Sequence, residues 1–298
     1  MRLCNAWTDS GPRIGLGQGD VWFNLSAYLA RHVDDFGWMY ERPRPTLLDL
    51  LENHPDLVDD AHDWFDEMSG KAGTRTYAWV PPTRLLAPVT RPSKIVALGR
   101  NYAAHAREAG NEVPQEPVLF AKAPSSVIGP TDDIVYPEGV KRLDPEVELA
   151  VVIGCQASHV SEAEAMDVVA GYTVLNDVTA RDVQRADIEK KLPWFRSKSM
   201  DTFCPMGPYL VLTDEIEDPH RLDISLSVNG EVRQKSNTAM MMFQVPRLIA
   251  TISGYMTLEP GDVIATGTPE GIAPLNVGDL VECAVEGLGV LRNRVVRG

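Results

Sequence analysis

The chain is short of positive charge. Its 298 residues hold 28 Lys and Arg against 42 Asp and Glu, a formal net charge of −14. Nucleic acid needs a basic surface to neutralise its phosphates, so that class of partner is excluded. A small anionic substrate is not, because a local pocket can be positive on an acidic protein. Long apolar runs are also missing. Stretches such as Leu149 to Ile153 fall far short of the ~20 residues that span a bilayer, so no membrane partner is expected. No apolar segment of signal-peptide type follows Met1-Arg2-Leu3-Cys4-Asn5. The 4 cysteines, Cys4, Cys155, Cys204 and Cys283, are widely scattered and form no CxxC, which excludes a zinc ribbon or redox pair. Reduced thiols and a cytoplasmic location are the expectation. The 6 histidines (His32, His54, His62, His105, His159, His220) show no paired ligand spacing, so zinc is disfavoured.

What is present suffices for a core: 44% of residues are hydrophobic, which excludes disorder. The length suits one large domain plus a small one: residues 1–92 as a small N-terminal domain with connector, and 93–298 as the catalytic domain. No internal repeat or low-complexity tract is present. Gly15-Leu16-Gly17-Gln18-Gly19-Asp20 reads as a turn between two short strands. Asp20 stands where a dinucleotide fingerprint needs its third glycine, and no βαβ unit follows. Thr46 to Glu52 and Val58 to Met68 read as helices, and Pro81-Pro82 to Pro92 as a connector. Beyond Lys94 the pattern is strand-rich. Ile95 to Leu98, Glu146 to Ile153 and Tyr172 to Leu175 read as strands. Ser161-Glu162-Ala163-Glu164 has the form of a capping box, predicting a helix closed by Gly171. Thr179 to Lys191 and Val245 to Tyr255 read as helices. Leu222 to Gln234 reads as a hairpin turning at Asn229-Gly230. Strands at Val263 to Thr266 and within Leu280 to Val296 complete a mixed order, hence an α+β class.

Glu146-Val147-Glu148 opens the strand Leu149 to Ile153. Residues i and i+2 of a strand share a face, so the two carboxylates project side by side. Like charges at that range repel unless a cation sits between them. A hard divalent cation with oxygen ligands meets that need, and Asp177 after the next strand is a third acid. The plain alternative is a pair of solvated glutamates at a strand end.

His105 and Glu108 sit three apart on a helical segment after the first of these strands. They can touch on one helix face. A carboxylate that orients an imidazole suits a general base acting on water, although an ordinary surface ion pair has the same spacing. Arg181 and Gln184 share a helix face and have the donors to bind a carboxylate or keto group. Lys198, in a polar loop, has the charge to neutralise an enolate or oxyanion. Thr266-Gly267-Thr268-Pro269 is a small-residue turn that lets backbone N–H groups approach an anion. Taken singly, each of these reads more readily as structural. Cys204 has no adjacent base and reads as a small core residue.

Together the ordered segments resemble the fumarylacetoacetate hydrolase (FAH) family. They are Gly99-Arg100-Asn101-Tyr102 with His105 and Glu108; Phe120-Ala121-Lys122 to Ser126; Glu146 to Gly154; Gly171-Tyr172 to Asp182; Lys198-Ser199 with Asp201 to Pro205; and Thr266 to Pro269. The resemblance runs from Lys94 to the C-terminus. It implies a β-rich α+β roll and a homodimer. It implies Mg²⁺ or Mn²⁺, with Ca²⁺ as a third option, at Glu146, Glu148 and Asp177. It implies His105 and Glu108 as a base dyad on a lid, Lys198 beside the oxyanion, and Arg181, Gln184 and Thr268 along the substrate. The activity expected is hydrolytic C–C cleavage of a 2,4-dioxo acid of the acylpyruvate or fumarylpyruvate kind, through an enolate held by the metal and Lys198. An oxaloacetate decarboxylase or an oxo-acid isomerase is the alternative on the same site, and a non-catalytic ligand-binding relative is a third reading.

Overall fold

Val147 to Ile153 is an unbroken apolar run apart from Glu148, and it forms strand Val147–Ile153, buried along its whole length. A strand covered on both faces reads in this way. Alternate side chains enter different cores. Val147, Leu149, Val151 and Ile153 pack into one cluster with Ile224, Leu226 and Val281, while Ala150 and Val152 pack into another with Leu3, Leu16 and Trp64. Burying each of the larger side chains contributes roughly 1.5–3 kcal/mol. By the same alternation, Glu146 and Glu148 share the face of Ala150 and Val152.

The strand lies within an 11-stranded sheet of a computed structural model that describes residues 1–32, 45–54, 56–81, 84–108, 110 and 112–298. The main path runs Val21–Asn24, Gly11–Gln18, Arg2–Thr8, Cys204–Leu212, Val169–Asn176, Val147–Ile153, Val263–Ala265, Ile95–Gly99, Val118–Lys122. The first strand therefore joins the central sheet, with Leu3 opposite Leu210. A five-stranded sheet lies across the first core: Glu231–Asn237, Asp223–Val228, Leu280–Val285, Gly289–Arg297, Ile134–Tyr136. Its hairpin turns at Asn229 and Gly230, with φ of 52° and 83°. Two positive φ values at the turn are what an Asn-Gly hairpin requires. The α+β expectation is met.

Helices form where expected at Leu47–Asn53, Leu57–Ser69, Arg181–Glu189 and Val245–Ser253. Thr46 and Asp49 form a capping box ahead of the first. Three local expectations fail. Gly15, Leu16 and Gly17 lie inside strand Gly11–Gln18, and the turn falls at Gly19-Asp20. The connector contains strand Leu85–Leu86, which pairs with Arg2–Thr8, while residues 82 and 83 lie outside the described residues. Ser161 donates through its N–H to Glu164 Oε2 at 3.3 Å, one half of the expected capping box, yet only a 3-10 turn Ala165–Val168 follows. The chain then enters strand Val169–Asn176, buried along its whole length, where sheet burial outweighs further helix. Gly171 closes no helix: it lies mid-strand, where a Cβ would collide with the Val211 carbonyl. Met240-Met241-Met242-Phe243 is only partly core, because Met241 is buried and Met240 is exposed.

Candidate active site

The sheet brings the three acids together by register. Strands Val147–Ile153 and Val169–Asn176 are antiparallel, with Val147 opposite Asn176. The next residue, Asp177, hydrogen-bonds through its N–H to the Glu146 carbonyl at 2.8 Å. Asn176 accepts from the Glu146 N–H at 2.9 Å and so pins the strand end. Ligand atoms of Glu146, Glu148 and Asp177 lie within 4.8 Å of one another, and all three residues are buried.

Cations surround this cluster. Lys198, at the end of helix Phe195–Lys198, donates to Glu146 at 2.8 Å and to Asp177. Arg181 donates to Glu146, to Asp144 at 2.8 Å and to Gln184 at 2.6 Å. Burial alone would raise the Glu146 carboxyl, but Lys198 and Arg181 hold it well below the usual carboxylate range. Burial would lower the Lys198 ammonium, but Asp177 and Glu146 raise it. Glu148 is treated differently. It accepts one hydrogen bond, from the Gly267 N–H at 2.7 Å. Burial and then the charge of Asp177 push its carboxyl well above the ordinary value. A buried acid beside two others, with a neutral donor as its hydrogen-bond partner, has charge left to satisfy. The donor set is all oxygen and suits a hard divalent cation, so these residues fit a metal of the Mg²⁺ or Mn²⁺ kind.

His105 and Glu108 lie on helix Ala103–Glu108 at the wall of the same pocket. His105 Nδ1 approaches Glu108 Oε2 to 3.6 Å, inside ion-pair range but beyond a hydrogen bond, and has no hydrogen-bond partner among the described residues. Glu108 accepts from the Gly271 N–H at 3.1 Å, which ties the helix to the Thr-Pro turn. Burial lowers the imidazole pKa below its ordinary value despite the pull of Glu146, so the ring is held neutral and ready to accept a proton. Thr268 accepts from Gln234 Nε2 at 2.9 Å, and Gln234 in turn accepts from the Val147 N–H at 3.0 Å. The nine side chains singled out from the sequence, Glu146, Glu148, Asp177, His105, Glu108, Lys198, Arg181, Gln184 and Thr268, all line one cavity of about 490 Å³.

Some residues at the site carried no assigned role in the sequence. Lys122 is fully buried, donates to Asp177 Oδ1 at 2.6 Å and also holds the Lys198 carbonyl. Its segment, Phe120-Ala121-Lys122 to Ser126, is among those that resemble the family, but the lysine itself had no role assigned. Asp144, which aims Arg181, and Gln234, which ties Thr268 to the strand that carries Glu148, gave no signal in sequence. Cys204 is buried and its thiol is pushed up to about 12 by burial, in keeping with a core residue.

A strand-rich roll that gathers buried carboxylates, an imidazole and an ammonium around one cavity has the arrangement of an enzyme site. The family description "Fumarylacetoacetate (FAA) hydrolase C-terminal" matches residues 94–296, and the chain belongs to the fumarylacetoacetate hydrolase family. It is 49% identical over 218 residues to the mitochondrial oxaloacetate tautomerase FAHD2A of Bos taurus, covering 71% of this chain and 69% of that one. Among solved structures, it resembles maleylpyruvate hydrolase from Sphingobium sp. SYK-6 in complex with manganese(II) and pyruvate, at 34% identity and TM-score 0.77, each chain covered in full. It also resembles a 5-carboxymethyl-2-hydroxymuconate delta-isomerase from Mycobacterium smegmatis, at 36% identity and TM-score 0.73, covering 100% of this chain and 99% of that one. The relatives named by activity are enzymes. Among the described residues, no helix is long and apolar enough to cross a membrane.

Proposed function

We propose that the chain is a divalent-metal-dependent enzyme that forms the enolate of a small 2-oxo acid, by hydrolysing a C–C bond of a 2,4-dioxo acid. The observation that carries this is that His105 and Glu108 line the same cavity as the Glu146, Glu148 and Asp177 cluster. A divalent cation held by those three carboxylates would supply Lewis-acid polarisation of the 2-oxo acid oxygens. His105, oriented by Glu108, takes a proton from water. The resulting hydroxide adds to the distal carbonyl carbon. As that carbon becomes a carboxylic acid, the C–C bond breaks and its electron pair passes to the 2-oxo acid fragment as an enolate. Lys198 donates to the enolate oxygen. Arg181 and Gln184 orient the substrate, and Thr268 lines its side. The cavity volume of about 490 Å³ supports a substrate larger than a four-carbon acid.

A second reading is favoured by the identity to oxaloacetate tautomerases. Here His105 removes a proton from the carbon beside the keto group, Lys198 receives the enolate, and no C–C bond breaks. Decarboxylation of oxaloacetate would use the same enolate partner. One experiment separates them. The protein is incubated with Mn²⁺ and either an acylpyruvate or oxaloacetate, and products are followed by NMR. Hydrolysis yields pyruvate plus a second carboxylic acid. Tautomerisation speeds keto–enol exchange with the carbon skeleton intact, and decarboxylation releases CO₂. If no 2-oxo acid is converted, the proposal fails. The same reading places catalysis in residues 93–298, since every side chain lining the cavity lies from Leu98 onward. It carries a homodimer and a cytoplasmic location, which size-exclusion scattering and fractionation test.

A further inference from the structure

Each carboxylate of the cluster has one oxygen taken by a fixed donor. Arg181 Nη2 donates to Glu146 Oε1. The Gly267 N–H donates to Glu148 Oε2 at 2.7 Å. Lys122 Nζ donates to Asp177 Oδ1 at 2.6 Å. The second oxygens remain for a shared cation, and two of them converge. Lys198 Nζ reaches both Glu146 Oε2, at 2.8 Å, and Asp177 Oδ2.

The three donors are themselves held in place. Arg181 donates to Asp144 Oδ2 at 2.8 Å and to Gln184 Oε1 at 2.6 Å. Gly267 follows Thr266, whose N–H and Oγ1 donate to the Leu149 carbonyl at 3.0 and 2.9 Å. Lys122 ends strand Val118–Lys122, where it pairs with Ile95, and the next N–H, of Ala123, donates to Ser199 Oγ at 2.9 Å. The lysine is buried, and its ammonium holds the Lys198 carbonyl as well as Asp177. Water does not reach it to replace either acceptor, so it stays on Oδ1. Lys122 is also the donor that can be changed most cleanly. The Gly267 donor is backbone and Arg181 lines the cavity, whereas Lys122 does not. Ions differ in how they use a carboxylate. Ca²⁺ takes about 6–8 oxygens in flexible geometry, often both from one carboxylate, while Mg²⁺ demands a tight octahedron and keeps several waters. Three acids limited to one oxygen each suit the second kind.

We infer that Lys122 is a positioning residue that sets the ion selectivity of the site: by occupying Asp177 Oδ1 it makes Asp177 a one-oxygen ligand, and so favours Mg²⁺ over Ca²⁺. The inference rests on the reading of Glu146, Glu148 and Asp177 as metal ligands, and its test does not depend on turnover. Lys122→Met keeps an apolar stem in the strand and frees Oδ1 for a second bond to the ion. Affinities for Mg²⁺ and for Ca²⁺ are measured by calorimetry on the full chain, treated with EDTA and dialysed, as wild type and as Lys122→Met. The affinity ratio is expected to move toward Ca²⁺ by about tenfold or more in the variant, within the range over which ligand charge and site rigidity tune calcium sites. A purely structural role weakens both ions alike, so an unmoved ratio overturns the inference. If Lys122→Met does not fold, structures of the wild-type chain loaded with Mg²⁺ and with Ca²⁺ decide. Asp177 on the ion through Oδ2 alone, with Lys122 still on Oδ1, is the expected result, and both Asp177 oxygens on Mg²⁺ overturn it. Failure of the metal reading looks different: neither ion binds the wild type, or Asp177→Asn binds both unchanged, and the two readings fall together. An unmoved ratio with binding lost in Asp177→Asn removes the selectivity role alone.

Discussion

Glu148→Gln moves two quantities in opposite directions. In the chain freed of metal by EDTA, Glu148 is a buried acid whose neighbours are acids. Ligand atoms of the three carboxylates lie within 4.8 Å of one another. At that range two unit charges repel by roughly 3.5 kcal/mol at an effective dielectric near 20. Lys198 offsets part of this through Glu146 and Asp177. Glutamine keeps the shape, and its side-chain oxygen still accepts from Gly267. The expected gain in metal-free stability is therefore about 1–3 kcal/mol at pH 8. Its pH dependence has a definite sign. Burial and Asp177 raise the Glu148 carboxyl well above its ordinary value, so the folded chain binds that proton more tightly than the unfolded one. The contribution is harmless at low pH. Wild-type stability is lost as pH rises from the unfolded value, about 4.3, through the raised folded value. The glutamine variant escapes that loss, so its advantage grows with pH. Its affinity for Mn²⁺ falls about 100-fold or more, because a charged ligand is gone. Urea denaturation in EDTA at pH 5.5 and pH 8, with Mn²⁺ calorimetry, reads both. A variant that is less stable than wild type in EDTA at pH 8, or that binds Mn²⁺ unchanged, refutes the reasoning.

Three further outcomes follow from the same geometry. Lys122→Met leaves Asp177 short of a buried partner and is expected to cost about 3–5 kcal/mol in urea denaturation, with Asp177→Asn in the same chain recovering part of it. Because burial lowers the His105 pKa, the acid limb of kcat/KM should fall below the ordinary histidine value of about 6.5, and a limb above neutrality would contradict the neutral-base assignment. Gly171→Ala drives a methyl into the Val211 carbonyl and should lower stability by about 1–3 kcal/mol with Mn²⁺ affinity little changed; a neutral effect would mean that the strands separate more easily than the register implies.

Local rules made some of this legible in the chain. Period-two alternation placed Glu146 and Glu148 on one face, and the structure shows both buried there. Asn229-Gly230 announced its hairpin because few residue pairs accept two positive φ values. The helix expected over Thr46 to Glu52 formed as Leu47–Asn53. Long-range pairing set the rest. One half of the capping box at Ser161 and Glu164 formed, but sheet burial of the residues after it outweighed helix formation. Nothing near Arg2 to Thr8 says that it pairs with Cys204–Leu212, some two hundred residues away. The partners of Lys122 come from two other segments, so its role emerged only with tertiary contacts. Asp177 was found as an acid after a strand, but the antiparallel register that sets it against Glu146 was not readable.

The central claim is that the Glu146, Glu148 and Asp177 cluster holds the divalent ion on which enolate chemistry depends. The direct measurement is turnover of acylpyruvates and oxaloacetate by the protein before EDTA treatment, after complete metal removal, and after Mn²⁺ or Mg²⁺ is returned. The account expects conversion of at least one of these acids to be lost with the metal and restored by either ion in the wild type, but not in Asp177→Asn. Conversion that survives full metal removal would contradict it.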